Sequence, residues 1–433
     1  MQYIPNILFL LALILGIGFF TRNIRKVIRN IKLGQETDSS DNKSQRWNNV
    51  IRIALGQSKM VVRPISGFLH LIVYLGFIII NIEVLEIIID GLLGTHRIFS
   101  FMGGFYGFLI GTFEILAVLV FAAVIFFWIR RNVQRIKRFL SPEMKGWPKS
   151  DGNIILYFEM VLMTLFLVMN ATDVTFQEMN SGNLVSKYIA GWFSGTSEST
   201  LHFIERIAWW LHILGILIFL NYLYFSKHLH IILAFPNVYH GRVTPKGQFK
   251  NLESVTNEVK LMMDPNADPF AAPPEGAETP AKFGASDVMD LSRVQLLNAY
   301  TCTECGRCTS ECPANQTGKK LSPRKIMMDT RDRLEEVSKQ IDKNGAFEPD
   351  GKQLLDDYIT REELWACTTC NACVQACPVS IDPLSIIMDM RQYLVMEQSA
   401  APSELNVTMT NIENNAAPWP FNQMDRANWI NES

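Results

Sequence analysis

The sequence predicts an all-α protein in two parts: five membrane-crossing helices, then a smaller helical domain built around cysteines. Three observations carry this. Five long apolar stretches fall within the first 235 residues, all eight cysteines fall in two runs after residue 300, and lysine and arginine crowd into alternate loops. A chain of 433 residues has room for two or three domains, and its net charge of −2 gives no reason to expect nucleic acid as a partner.

The apolar stretches cover about residues 4–20, 65–89, 102–128, 154–171 and 207–225. Buried helices of soluble proteins seldom carry apolar runs much beyond a dozen residues, so five in succession read as membrane spans. The first has no basic residues before it and a basic cluster after it, the pattern of an anchor rather than a cleaved leader. The loop between the first and second spans holds ten Lys and Arg residues from Arg22 to Arg63, and the loop between the third and fourth holds seven from Arg130 to Lys149. The other two loops hold little beyond Arg97 and Lys187. Positive loops stay inside, which predicts an external N-terminus, a cytoplasmic exit from the fifth span and residence in a bacterial inner membrane. The long external loop 173–200 has room for a short helix over 183–193.

Both cysteine runs read C-x2-C-x2-C-x3-C-P, closed by Pro313 and Pro378. This is the ligand spacing of paired [4Fe-4S] clusters, in which the fourth cysteine of each run serves the other cluster. Cys302, Cys305, Cys308 and Cys377 are then expected at cluster 1, and Cys367, Cys370, Cys373 and Cys312 at cluster 2. Zinc sites favour paired rather than triple cysteines, and disulfides suit secreted chains, not thiols on the cytoplasmic side.

The chain has seven histidines. On one continuous helix His212 and His230 would share a face ~27 Å apart, with His228 pointing nearly the opposite way. That arrangement suits two axial ligands, each needing a partner from another helix, and His70 in the second span is the partner for the cytoplasmic one. Glu83, Glu86, Asp90, Glu114 and Glu159 also lie in the spans. Carboxyls within a bilayer face protein, water or a cofactor, or are wet interfacial charge. Glu83 and Glu114 are the candidates for a proton path or quinone hydrogen bonding.

Residues 1–240 thus read as the membrane domain and 241–287 as an extended linker, whose stretch 262–287 is rich in Pro, Ala, Gly and acid. The dicluster domain covers 288–398, with helices over 292–299, 323–339, 354–358 and 383–398, and a tail follows over 399–433.

Two resemblances sharpen this reading. The stretch HILGILIFLNYLYFSKHLHIILAFPNVY, from His212 to Tyr239, is similar to the last helix of the membrane cytochrome b subunit of respiratory nitrate reductases. That resemblance implies a five-helix cytochrome b-like bundle with b haem held by His70 and His230, and His212 as a ligand of an outer haem. The position opposite His212 is Ile80, which cannot ligate iron, so the second haem is absent or otherwise ligated, with His228 as a lesser candidate. TCTECGRCTSECPANQTGKKLSPRKIMMDTRD and LWACTTCNACVQACPVSIDPLSIIMDMRQYLVMEQSAAPSEL resemble the membrane iron-sulfur oxidoreductases related to heterodisulfide reductase. That family includes the membrane partner of electron-transfer flavoprotein, which reduces menaquinone. Many of its members continue into cysteine-rich CCG domains, and this sequence has no cysteine after Cys377. The resemblance therefore implies an electron-transfer subunit working with a separate CCG-domain subunit, an electron-transfer flavoprotein or similar flavoprotein, and the quinone of the lipid bilayer. Reverse flow, as in heterodisulfide or sulfite reduction, and a non-catalytic anchor are the alternatives. The tail is a candidate docking surface or a plain C-terminal wrap.

Overall fold

The computed structural model describes residues 3–245, 247–249, 251–265 and 282–432. Among them every regular element is helical, and only two isolated bridges, Gln35 with Ser292 and Leu355 with Ile359, have strand pairing.

Five helices are long and apolar enough to cross a membrane: α1 (Ile4–Lys32), α2 (Pro64–Leu93), α3 (Gly104–Asn132), α4 (Trp147–Thr172) and α5 (Glu198–Tyr222). They agree with the sequence in number and order, but most run further at one or both ends. Backbone hydrogen bonding continues where the apolar pattern stops, so α1 extends ~43 Å, longer than the ~30 Å hydrocarbon layer. Small residues sit where helices cross. A Cβ at Gly76 of α2 would strike Val120 of α3, and one at Gly91 would stand 2.6 Å from the Phe9 ring of α1. Such close approach supplies the packing that hydrophobicity cannot supply between helices in lipid. The outward face of α1, with Ile7, Leu8, Leu11, Ile14 and Leu15, is exposed as a lipid-facing surface should be.

The projecting end of α1 docks the second half of the chain. The domain is framed by α6 (His230–His240), α7 (Glu253–Met263), α8 (Arg293–Thr301), α9 (Pro323–Asn344), α10 (Pro383–Met396) and α11 (Ser403–Asn415). Lys26 and Arg29 each meet Asp342 of α9 at 2.5 Å, and Asn30 donates to the Tyr300 hydroxyl of α8 at 2.7 Å. Local chemistry starts the helices: Ser292 and Gln295 form a capping box at α8, and Asp382 caps α10 by accepting from Ser385 N. The apolar cluster behind them runs from Leu296, Ile326 and Ile386 to Val27, Ile155, Phe219 and Leu229. The bundle and the second half therefore share one core at this end, called here the cluster end, as opposed to the distal end.

Two expectations are corrected. The fifth span does not continue to His230: α5 stops at Tyr222, a 3-10 turn covers Leu223–Phe225, and Ser226 is extended (φ −116°, ψ 147°) before Lys227–Leu229 and α6. The linker is not wholly extended, since α7 lies in it; the expectation for 266–281 falls outside the described residues. In the loop 173–200 the short helix is smaller than expected, Ser186–Ala190 followed by Gly191–Phe193. The tail forms α11 and a 3-10 stretch, Gln423–Ile430, neither containing a buried residue.

Candidate functional site

The two cysteine runs fold as a local repeat. Cys302 ends α8, Cys308 lies in the short helix Arg307–Glu311, and Cys312 ends that helix ahead of Pro313. In the second run Cys373 lies in Ala372–Ala376 and Cys377 ends it. Two residues after the first cysteine the backbone turns left-handed in both, at Glu304 (φ 53°) and Thr369 (φ 54°), and again two residues later at Gly306 (φ 71°) and Asn371 (φ 60°). Such turns bring successive amides round to one side. Thr369 N donates to Cys367 Sγ at 3.4 Å and Ile381 N to Cys377 Sγ at 3.3 Å.

Electrostatics sorts the thiols. Burial pushes Cys302 up to about 12 and Cys377 up to about 11, with Cys305 raising both further. Burial also raises Cys308, with Cys305, Cys302 and Cys377 the next influences, and a weaker one from Cys373. In the other set burial raises Cys373 to about 12, followed by Asp382, Cys367 and Cys312, while Cys367 rises by burial, with Cys312 and Cys370 adding to it. The fold thus brings the fourth thiol of each run to the first three of the other. Burial holds these crowded thiols neutral; a bound cluster would take them as thiolates, because its cationic iron reverses the local electrostatics. Cys370 of the second set is exposed, whereas Cys305 of the first faces the helix bundle across a cavity.

Beside the first set is a cavity of ≈ 390 Å³ between α2, α3, α4, the start of α6 and the first cysteine loop. His70, His228, His230, Glu159, Cys305 and Arg307 line it, with Arg130, Arg131 and Arg138 at its edge. The break at Ser226 makes this possible. Buried Asp151 accepts from Tyr222 Oη at 2.6 Å and Lys227 N at 3.1 Å, and Ser226 Oγ accepts from His228 N at 3.0 Å. His228 therefore does not point away: its ring lies 5.3 Å from that of His230, at 83° to it. Burial, then the charges of His230 and His70, holds His228 down to about 3, and burial lowers His230 as well, so both imidazoles are neutral. His230 Nδ1 is 3.1 Å from Lys227 O, which leaves its Nε2 free, the usual arrangement of a ligating imidazole. His70 Nδ1 is buried and unpartnered. These residues fit a b-type haem.

Lys227 and Glu304 form a buried ion pair across the seam between bundle and cysteine loop, and Arg331 reaches Glu304 at 2.9 Å. Arg307 donates to Lys59 O (2.9 Å) and Met60 O (3.2 Å), tying the loop to the segment before α2.

His212 does not join this site. It is buried against Phe166, ring centroids 6.2 Å apart, with Nδ1 unpartnered, and Ile80 packs in the same apolar cluster as Phe166. The ring contact of His212 is with Phe166, while His96 meets Asp173 (3.2 Å), His202 is beside Glu205 (3.7 Å), and His240 packs on Tyr239. The residues there do not fit a second bis-histidine haem. Of the two carboxyl candidates, Glu114 is fully engaged, accepting from Val185 N (2.7 Å), Ser186 N (3.0 Å) and Asn170 Nδ2 (3.1 Å). Glu83 lines a different cavity, at the distal end.

Sequence reasoning missed the arginine rim, having read Arg130, Arg131 and Arg138 only as topology signals, and missed Lys227, Glu304 and Asp151. The adjacency of Glu304 to Cys305 and of Lys227 to His228 was the available signal.

The family described as 4Fe-4S dicluster domain matches residues 301–381. The chain is 29% identical to the probable iron-sulfur-binding oxidoreductase FadF of Bacillus subtilis, over 99% of this chain and 61% of that one. It is 27% identical to the EtfAB:quinone oxidoreductase of Syntrophomonas wolfei, over 92% of this chain and 55% of that one. A component of the ferredoxin/F(420)H(2)-dependent CoB-CoM heterodisulfide reductase of Methanosarcina acetivorans is 31% identical over 27% of this chain and 60% of its own. The chain is a relative of the heterodisulfide-reductase iron-sulfur oxidoreductases. The dicluster-domain match supports iron-sulfur clusters, and the five long apolar helices suggest membrane association. It spans between half and two thirds of the length of the Bacillus and Syntrophomonas proteins. No solved structure matches it.

Proposed function

We propose that the chain is a membrane electron-transfer subunit between a cytoplasmic flavoprotein or CCG-domain partner and the quinone pool, with menaquinone reduction the favoured direction. The observation that carries this is the shared cavity, in which His70 and His230 from the bundle and Cys305 from the first cysteine set line one space. Cys302, Cys305, Cys308 and Cys377 would hold one [4Fe-4S] cluster, Cys367, Cys370, Cys373 and Cys312 the other, and His70 and His230 a b haem. Bound, these groups supply one-electron carriers between a donor and a quinone.

The chain's own residues prepare the path. The amides of Thr369 and Ile381 aim at sulfur, and hydrogen bonds to cluster sulfurs make reduction easier. The Lys227–Glu304–Arg331 network fixes the cysteine loop against the bundle, so the spacing of the two centres does not drift. Arg130, Arg131 and Arg138 set a positive edge on the cluster-end cavity, which suits the carboxylates a haem carries. Exposed Cys370 marks the face where a soluble donor would approach. The loop charges support a cytoplasmic cluster end.

The name of the Syntrophomonas relative supports quinone-linked oxidation of a flavoprotein donor, and that of the Bacillus relative supports an iron-sulfur oxidoreductase. The likeness to components of heterodisulfide reductases favours, as the second reading, electrons leaving through the clusters to a disulfide-reducing partner. Stopped-flow spectroscopy separates them. Mixing the purified chain with reduced electron-transfer flavoprotein is expected to reduce its haem band, and menadione to reoxidise it. A haem that stays oxidised with the flavoprotein but accepts electrons from menadiol would overturn the first reading in favour of the second.

A further inference from the structure

We propose that the cavity at the distal end of the bundle is a proton-exchange site whose floor is the carboxyl of Glu83. The cavity, ≈ 390 Å³, lies among α1, α2, α4 and α5. Its mouth carries His96 and Arg206, with side chains 41% and 39% exposed, whereas Glu83 on its floor is 3% exposed. The basic side chains at the mouth are thus half-exposed, whereas the carboxyls lining the cavity, Glu83 among them, are buried.

The other carboxyls that face the cavity are engaged. On α2, Glu86 accepts from Phe99 N (2.9 Å) and Tyr106 Oη (3.0 Å), and Asp90 from Arg97 N (2.7 Å), Ile98 N (3.1 Å) and Thr95 Oγ1 (2.6 Å). At the end of α4 Asp173 takes Arg97 (2.7 Å) and His96 (3.2 Å), and on α5 Glu205 takes Arg206. Glu114, which faces this region from α3, is satisfied as described above. Glu83 Oε2 alone among these oxygens is buried without a hydrogen-bond partner.

Charge points the same way. Five carboxyls face the cavity against the guanidiniums of Arg97 and Arg206, so the space attracts cations and repels anions. An ionised carboxylate with no donor at that depth is costly, and the group needs a proton or a bound cation. The aromatic packing of Phe9, Trp209 and Trp210, with centroids 5.3–6.0 Å apart, closes the side toward α1 and α5. A proton reaches Glu83 from the mouth past His96, and leaves by the same route. The site stands whether or not the chain carries haem.

The test is labelling of the full chain, reconstituted in lipid, with dicyclohexylcarbodiimide, which reacts with protonated carboxyls shielded from water, followed by peptide mass spectrometry. An adduct is expected on Glu83, absent in Glu83→Gln, indifferent to excess sodium and falling ~tenfold per pH unit at the alkaline end. Glu83→Gln, which keeps the shape of a neutral carboxyl, is expected to melt at the parent's temperature. No adduct on Glu83 while exposed carboxyls react, or a large loss of melting temperature in Glu83→Gln, overturns the proposal. Protection by sodium also overturns it, in favour of a cation site.

Discussion

Two cavities of ≈ 390 Å³ occupy opposite ends of one helix bundle, and their linings differ in kind. The cluster-end cavity has imidazoles, guanidiniums, a thiol and the single carboxyl of Glu159; the distal one has five carboxyls, two of them paired with arginines. Both interrupt the lipid-adapted core with polar groups, yet they do so by different means. At the cluster end a break in the chain at Ser226 admits the histidines. At the distal end continuous helices carry the acids at helical spacing, Glu83, Glu86 and Asp90 on one face of α2. The difference teaches that an interrupted helix can turn two neighbouring imidazoles into one cavity, whereas an unbroken helix can present only what its periodicity puts on one face.

Changes at the cysteines should separate the two ends most sharply. Cys308→Ala and Cys377→Ala should lose the same cluster, and Cys312→Ala and Cys373→Ala the other, with iron falling by about half in each. Electron paramagnetic resonance of the reduced variants checks the pairing; Cys377→Ala matching Cys373→Ala would break it. None of the distal changes should alter iron content.

Next in size is the seam. Glu304→Gln leaves Lys227 with Asp151 at 3.7 Å and Arg331 with Asp332 at 3.4 Å, and removing the nearest buried partner of both should destabilise the chain by ~2–4 kcal/mol, read from chemical unfolding. A loss under ~1 kcal/mol would mean that the pair is screened like a surface one.

The distal network gives a pH-dependent signature. Burial alone would raise the Asp173 carboxyl, but the His96 hydrogen bond and the Arg97 guanidinium override it and hold it well below the usual range. A lowered folded-state pKa contributes stability that is present above the unfolded value near ~4 and is lost as pH falls through the folded one. The melting temperature of the parent should therefore drop below pH ~4 more steeply than that of Asp173→Asn. Equal slopes would remove Asp173 from the network.

The smallest effect belongs to the exposed clamp on α1. Asp342→Ala removes ion pairs whose side chains are 29–34% exposed and should cost ~0–1 kcal/mol.

How much of this was legible depended on whether the determining contacts were local. The cysteine sets needed only spacing, because two adjacent turns and a short helix dictate where four thiols point. The spans needed only apolar length. The His228 position was not legible, because Asp151, 75 residues before Ser226, holds the break that turns His228 toward His230 (226 − 151 = 75). Periodicity assumes an unbroken helix, and nothing within 212–230 announces the interruption. Likewise Glu83 and Glu114 look alike in sequence, and only the amides of Val185 and Ser186 tell the satisfied acid from the open one.

The most direct test of the account is the haem and iron content of the purified chain and of its His70→Ala variant. The parent should carry one pyridine-haemochrome-detectable b haem to about eight irons in clusters, four for each [4Fe-4S] cluster. His70→Ala should keep the cluster iron and lose the haem, while His212→Ala should keep both. A parent without haem, or a His70→Ala variant with its full complement, would contradict it.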